Sequence, residues 1–152
     1  MKNIFFAAGF IGLLCFLSCG GETDPVKKPL PPGMVEEGWV SDNQFRVKVS
    51  ADTDITSVDQ EQQKKYSENA ALKKARETVV KNFVAARMKN ASSAGSYAVA
   101  AISIEKDFRD TIENGKILLR NFENDNKRCT IVYQVEKKNL KRLVEEGAPP
   151  KK

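Results

Sequence analysis

An α+β fold, with helices on one face of a small antiparallel sheet of about three strands, is predicted by three patterns in this 152-residue chain. Residues 45–51 alternate apolar and polar side chains with a period of two. Residues 59–89 place apolar side chains at three- and four-residue steps. Residues 116–137 hold two strand-like runs around the turn Asn124, Asp125, Asn126, Lys127, a hairpin signal. The predicted order is strand, long helix, shorter helix, hairpin and short terminal helix.

The folded part starts near Trp39. Phe45, Val47, Val49 and Ala51 alternate with Arg46, Lys48 and Ser50, the pattern of a strand with one wet face, and Asp52, Thr53 and Asp54 end it. Ser57 or Asp59 caps the long helix, with Gln60 or Gln62 three residues on. Leu72, Ala75, Val79, Phe83 and Ala86 form its apolar stripe, and Lys73, Lys74, Glu77 and Lys81 lie beside or opposite it. After a polar break at residues 90–95, Ile104, Phe108 and Ile112 sit four apart, so residues 97–113 read as a helix stopped by Asn114 and Gly115. A strand opening over residues 97–104 is the competing assignment. Residues 116–123 and 128–137 are the hairpin strands, and Cys129, Ile131, Tyr133 and Val135 share a face. Asn139 caps a closing helix that carries Leu140, Leu143 and Val144 and stops at Gly147.

The flanks carry the strongest signal for location. Lys2 precedes an apolar run over residues 4–17, and Ser18, Cys19 and Gly20 follow at once. That is the layout of a secretory signal peptide: charged start, short hydrophobic stretch, small residue at the cut. A cysteine directly after the cut resembles the lipobox of bacterial lipoproteins, the looser spirochaete form most closely, since Phe16 stands where leucine is usual. The resemblance implies acylation of Cys19, which becomes the mature N-terminus. Cys15 competes for that role, but bulky Leu14 precedes it. An uncleaved membrane anchor and a cleaved signal with free Cys19 are the alternatives, although the apolar run is shorter than the roughly 20 residues a spanning helix needs. Gly20, where aspartate resembles an inner-membrane retention mark, points to the outer membrane.

Residues 1–18 are then the signal and 19–38 a tether. Pro29, Pro31 and Pro32 favour polyproline II, and extended residues reach on the order of 60 Å. Residues 39–147 form the domain and 148–152 a flexible tail.

Composition narrows the chemistry. The chain has no histidine, so it lacks the commonest general base and zinc ligand. Of three cysteines only Cys129 remains in the domain, which must fold without an intrachain disulfide. Without a base beside it, Cys129 reads as a small buried hydrophobe on the core face of a strand. The net charge of +5 falls short of a nucleic-acid footprint. No phosphate loop, nucleophile elbow or metalloprotease helix is present.

The strand, the helix bearing Ala70, Ala71, Ala75, Ala85 and Ala86, and the closing strand with Tyr133 and Val135 resemble a group of small bacterial envelope lipoproteins, typified by the Helicobacter membrane-associated lipoprotein and shared with N-terminal modules of flagellar assembly proteins. The resemblance covers about two-thirds of the chain. It implies fold and location and brings no catalytic motif.

Four further patterns carry candidate chemistry. Asp52, Asp54 and Thr56 have the spacing of a calcium-loop opening, but Ser57 replaces the required glycine and Gln63 the closing glutamate. An Asx-turn before the helix is the simpler reading. Glu36 with Glu37, and Glu145 with Glu146, are adjacent pairs whose members point apart, as solvated charges do. Thr53, Asp54, Asn69, Leu72, Arg76 and Val80 are similar in spacing to the peptidoglycan-binding domain of outer-membrane protein A-like proteins, which implies that Asp54 and Arg76 grip the amine and carboxylate of a stem peptide. The interval from Asp54 to Asn69 exceeds that family's, and its loop glycine and later arginine motif are missing. Lys151 and Lys152 end the sequence in a form that lysine-binding modules of plasminogen recognise; keeping a tail solvated is the plainer role. The expectation is a non-catalytic, lipid-anchored envelope protein with no metal or cofactor. It acts on a protein partner as a surface antigen, adhesin or assembly component, or tethers peptidoglycan, and binds no nucleic acid.

Overall fold

The alternation around Phe45 folds as half of a ladder whose other half lies far along the chain. In the computed structural model, which describes residues 37–53, 55, 59–90 and 96–147, the elements are β1 (Gly38–Ser41), β2 (Gln44–Asp52), α1 (Gln60–Asn90), α2 (Tyr97–Glu113), β3 (Lys116–Glu123), β4 (Arg128–Glu136) and α3 (Leu140–Glu146). The strands form one antiparallel sheet in the order β1-β2-β4-β3. The fold is α+β as the sequence patterns require, with four strands in place of about three. The additional strand is β1, whose four residues and register shift between Trp39 and Ser41 leave no alternation to read.

β2 and β4 are the central pair, in register from Gln44 opposite Glu136 to Asp52 opposite Arg128. Phe45, Val47, Val49 and Ala51 from β2 and Cys129, Ile131, Tyr133 and Val135 from β4 are buried on the face that α1 covers. Apart from Val132, the alternate residues of β2 and β4 on the other face are polar. Ser50 and Thr130 share a hydrogen bond at 2.7 Å, and Arg46 Nε donates to Gln134 Oε1 at 2.6 Å. Val132 on that outer face is fully buried; its ladder partners are Lys48 and Leu119, whose long side chains can lie over it.

α1 begins as its cap chemistry requires. Asp59 Oδ1 accepts from the Glu61 N–H at 3.0 Å, and the Asp59 carbonyl accepts from Gln63 N at 3.0 Å. Ser57 lies outside the described residues. The buried stripe runs Ala71, Ala75, Val79 and Phe83, joined by Val84, whereas Leu72 and Ala86 are half-buried at its margin. Small side chains at Ala71 and Ala75 let the helix approach the sheet closely. Around Phe83 the space is filled by aromatic rings: Trp39 stacks on it at 5.7 Å, and Phe45 and Phe108 meet it edge-on at 5.3 and 5.6 Å.

α2 is helical from Tyr97 onward, so the strand alternative is excluded. Ser96 caps it, accepting from Val99 N, and Ala100, Ile104, Phe108 and Ile112 make its buried stripe. Its C-terminus meets β4 at Tyr133, whose hydroxyl donates to the Ile112 carbonyl at 2.5 Å.

One cap differs in mechanism from expectation. Asn139 precedes α3 but makes no side-chain cap bond. It adopts a left-handed conformation (φ 56°), which asparagine tolerates, and its N–H donates to Asn43 Oδ1 at 2.7 Å. In the β3–β4 turn Asn124, Asp125 and Asn126 all have positive φ, for the same stereochemical reason. Gly147 ends α3 at φ 90°.

Candidate functional site

Of the residues singled out from sequence, Arg76 and Cys129 have described positions. Cys19, Asp54, Lys151 and Lys152 lie outside the described residues, so the pairing of Asp54 with Arg76 has no geometry to judge. Arg76 projects from the middle of α1 toward the end of α2, where Nη2 donates to the Glu113 carbonyl at 2.9 Å and Nε is buried without a hydrogen-bond partner. It is thus placed as a cation on the C-terminal carbonyls of a helix, where the helix dipole favours one. Leu72 and Val80, one turn to either side, pack partly against the core, while Asn69 is exposed. The spacing shared with peptidoglycan-binding helices coincides here with a packing margin.

Cys129 is fully buried in β4. Burial, then the Glu68 charge, push its thiol up from 9.0 to about 11, partly offset by Arg120. Those two charges pair with each other across α1 and β3, Arg120 Nε lying 2.8 Å from Glu68 Oε1. A thiol held protonated is a poor nucleophile. In the native domain thiol reagents should leave Cys129 unlabelled until denaturant is added, and Cys129→Ala should cost about 1–2 kcal/mol. The pH dependence has a defined sign. Below pH 9.0 both folded and unfolded chains hold the thiol proton. Between 9.0 and about 11 only the unfolded chain loses it, so stability falls as pH rises through that window. Urea titrations at the two ends of the window should show a smaller fall for Cys129→Ala than for the parent.

Two surface depressions among the described residues carry ionisable side chains. One, of about 340 Å³, is lined by Asp42, Asn139, Lys141, Arg142 and Glu145. The other, of about 240 Å³, is lined by Asn114, Gly115, Lys116, Gln134 and Glu136. Each is lined by side chains of both charge signs. Among the described residues no group of three or more His, Cys, Asp or Glu side chains is placed to hold a metal ion, and no helix is long and apolar enough to cross a membrane.

Sequence reasoning missed one surface. Tyr97, Val99 and Ile102 at the start of α2 are exposed by 59, 62 and 68 %. The signal was present: once Ala100, Ile104, Phe108 and Ile112 are taken as the buried phase, Val99 and Ile102 fall off it and have no core to enter.

Arg87 is the most connected polar side chain described. From the last turn of α1 its Nε and Nη2 donate to the Val144 and Leu143 carbonyls of α3 at 2.9 and 3.0 Å, and Nη1 donates to Ser103 Oγ of α2 at 2.7 Å. Asp107 Oδ2 lies 3.6 Å away, and the guanidinium sits 5.9 Å from the Phe108 ring centroid. One cation thus joins three helices, and its role is architectural.

Comparison of the chain with protein families, with curated proteins and with solved structures finds no match.

Proposed function

We propose that this chain is a non-catalytic lipoprotein of the bacterial cell envelope, held in the outer membrane by acyl chains on Cys19 and presenting residues 39–147 as a binding or scaffolding module. The observation that carries the proposal is the N-terminal order of charge, apolar run, Ser18, Cys19 and Gly20. A core that, among the described residues, holds no disulfide, a Cys129 thiol withdrawn from solvent and surface depressions lined by charges of both signs are consistent with a domain that works by contact. Two or three acyl chains make such an anchor stable, at about 0.8 kcal/mol per buried CH₂. The domain needs no membrane contact for anchoring.

The test is substitution of the acylated residue. Cys19→Ala should abolish partitioning into the detergent phase and leave an unprocessed or soluble chain. Unchanged partitioning would falsify the lipoprotein proposal.

Within that proposal the partner is a protein, as for an antigen, adhesin or assembly component. Peptidoglycan tethering through Asp54 and Arg76 is the alternative, and there a stem carboxylate must compete with the Glu113 carbonyl for Arg76. Sedimentation with purified peptidoglycan, using the full chain and Arg76→Gln, separates the two.

A further inference from the structure

We propose that the N-terminal turn of α2, carrying Tyr97, Val99 and Ile102, is a lipid-contacting tip that dips into the bilayer to which the chain is anchored. The inference rests on the lipid-anchor proposal for its setting and on separate residues for its content.

Ala98, Val99 and Ile102 fall within an arc of about 100° on the helix, and Tyr97 stands at its first position. All four are exposed, three of them large apolar side chains. The group spans about 7.5 Å of helix rise, which matches the roughly 5–10 Å to which interfacial helices sink into the headgroup and acyl boundary. Tyrosine suits that depth, with an apolar ring and a polar tip.

Charge begins only behind the apolar turn. The first turn of α2 holds no acidic residue. Lys106 and Arg109 come next along the same exposed arc, about one and two turns behind Ile102, with Glu105 and Asp110 also near it. Lys89, in the last turn of α1, is exposed at the same end of the helix pair. Apolar groups thus come first along α2, and behind them Lys106, Arg109 and Lys89 have side chains long enough to snorkel to lipid phosphates, beside the acidic Glu105 and Asp110.

The same distribution disfavours a second copy as the occupant. Apolar exposure is confined to the opening two turns, and the remainder of the exposed arc (Glu105, Lys106, Arg109, Asp110, Glu113) is charged. Side-by-side pairing of α2 helices needs an apolar stripe along their length, whereas a surface met end-on needs only a tip. Anchorage at Cys19 would also keep the start of the domain within about 60 Å of the lipid, so the tip meets the bilayer at high effective concentration and a weak apolar contact suffices.

The experiment uses the full-length acylated chain reconstituted in vesicles of phosphatidylcholine with a minor share of phosphatidylglycerol. Ile102→Trp places a reporter at the tip, and Tyr66→Trp places one at an exposed position near the opposite end of α1. Trp39 is a constant background in both and in the parent. Quenching by brominated phosphatidylcholine should be about twofold stronger for Ile102→Trp than for the parent, with a blue-shifted emission, and Tyr66→Trp should match the parent. Val99→Asp added to Ile102→Trp should abolish the excess. Parent-level quenching in a chain that still floats with the vesicles overturns the tip and leaves the anchor standing. A chain that does not float refutes the anchor instead, and titration of Ile102→Trp with excess vesicles then decides the tip alone: excess quenching supports it, none overturns it. A blue shift that grows with protein concentration in the absence of lipid assigns the turn to a second copy and also overturns the proposal.

Discussion

Gly115→Ala should destabilise the domain by about 3 kcal/mol, although glycine there has no unusual backbone to maintain. Its φ lies outside the left-handed region, so any L-residue could adopt it. The obstacle is Tyr133. A Cβ at position 115 would lie 2.5 Å from Tyr133 Cζ and 2.6 Å from its hydroxyl oxygen, closer than real Cβ atoms approach. The ring is fully buried and its hydroxyl is bonded to the Ile112 carbonyl, so it cannot swing away freely. Overpacking of this kind costs about 1–3 kcal/mol, and loss of the hydroxyl bond would leave a buried carbonyl unsatisfied for roughly another 1–2. The check is a double-mutant cycle by urea denaturation. Tyr133→Leu removes the colliding atoms, so Gly115→Ala should cost clearly less in that background than in the parent. Equal costs in the two backgrounds would show that the ring is not the obstacle.

The second large effect is expected at Arg87. Arg87→Met keeps an apolar stem but removes the guanidinium, leaving the Leu143 and Val144 carbonyls and the Asp107 carboxylate without their shared donor. The Arg87 side chain is 13 % exposed and that of Asp107 28 %, so the loss falls near the lower end of the roughly 3–5 kcal/mol expected for breaking a buried pair. Arg87→Lys should recover only part of it, because one ammonium cannot address both α3 carbonyls and Ser103 in the planar geometry of a guanidinium. Hydrogen exchange gives the local reading: amides of α3 should lose protection in Arg87→Met before those of β4 do. Uniform loss across the domain would mean that Arg87 supports the core as a whole and does not specifically dock α3.

Element type was legible wherever one face of an element is buried and the other wet. β2, β4 and the second half of α2 show this in Phe45 to Ala51, Cys129 to Val135 and Ile104 to Ile112, and each formed where the pattern placed it. β1 was illegible because a four-residue edge strand is held by its neighbour and by Trp39 stacking on Phe83, contacts invisible to local periodicity. The stripe of α1 was read one residue off at Leu72 for a related reason. Ala71 is the buried residue because a close helix–sheet approach favours the smaller side chain. The cap of α3 was misassigned in mechanism, since an asparagine chosen for left-handed backbone and one chosen for its side-chain oxygen look identical in sequence. For the candidate site, sequence offered Arg76 without the Glu113 carbonyl that occupies it, and it could not reveal Arg87, whose partners come from two other helices.

The central ladder also sets the order in which the domain can be assembled. Arg46 meets Gln134 and Ser50 meets Thr130 at separations of 88 and 80 positions along the chain, and β2 has no strand partner other than β1 until β4 exists. A nascent chain that has emerged only through α2 holds a helical hairpin and a two-stranded ribbon, which is marginal by itself in water. The sheet closes only when the last third arrives, so loop-closure entropy is met before the contacts that offset it. The domain is therefore expected to reach its stable form only once β4 has been made, whatever has folded before it.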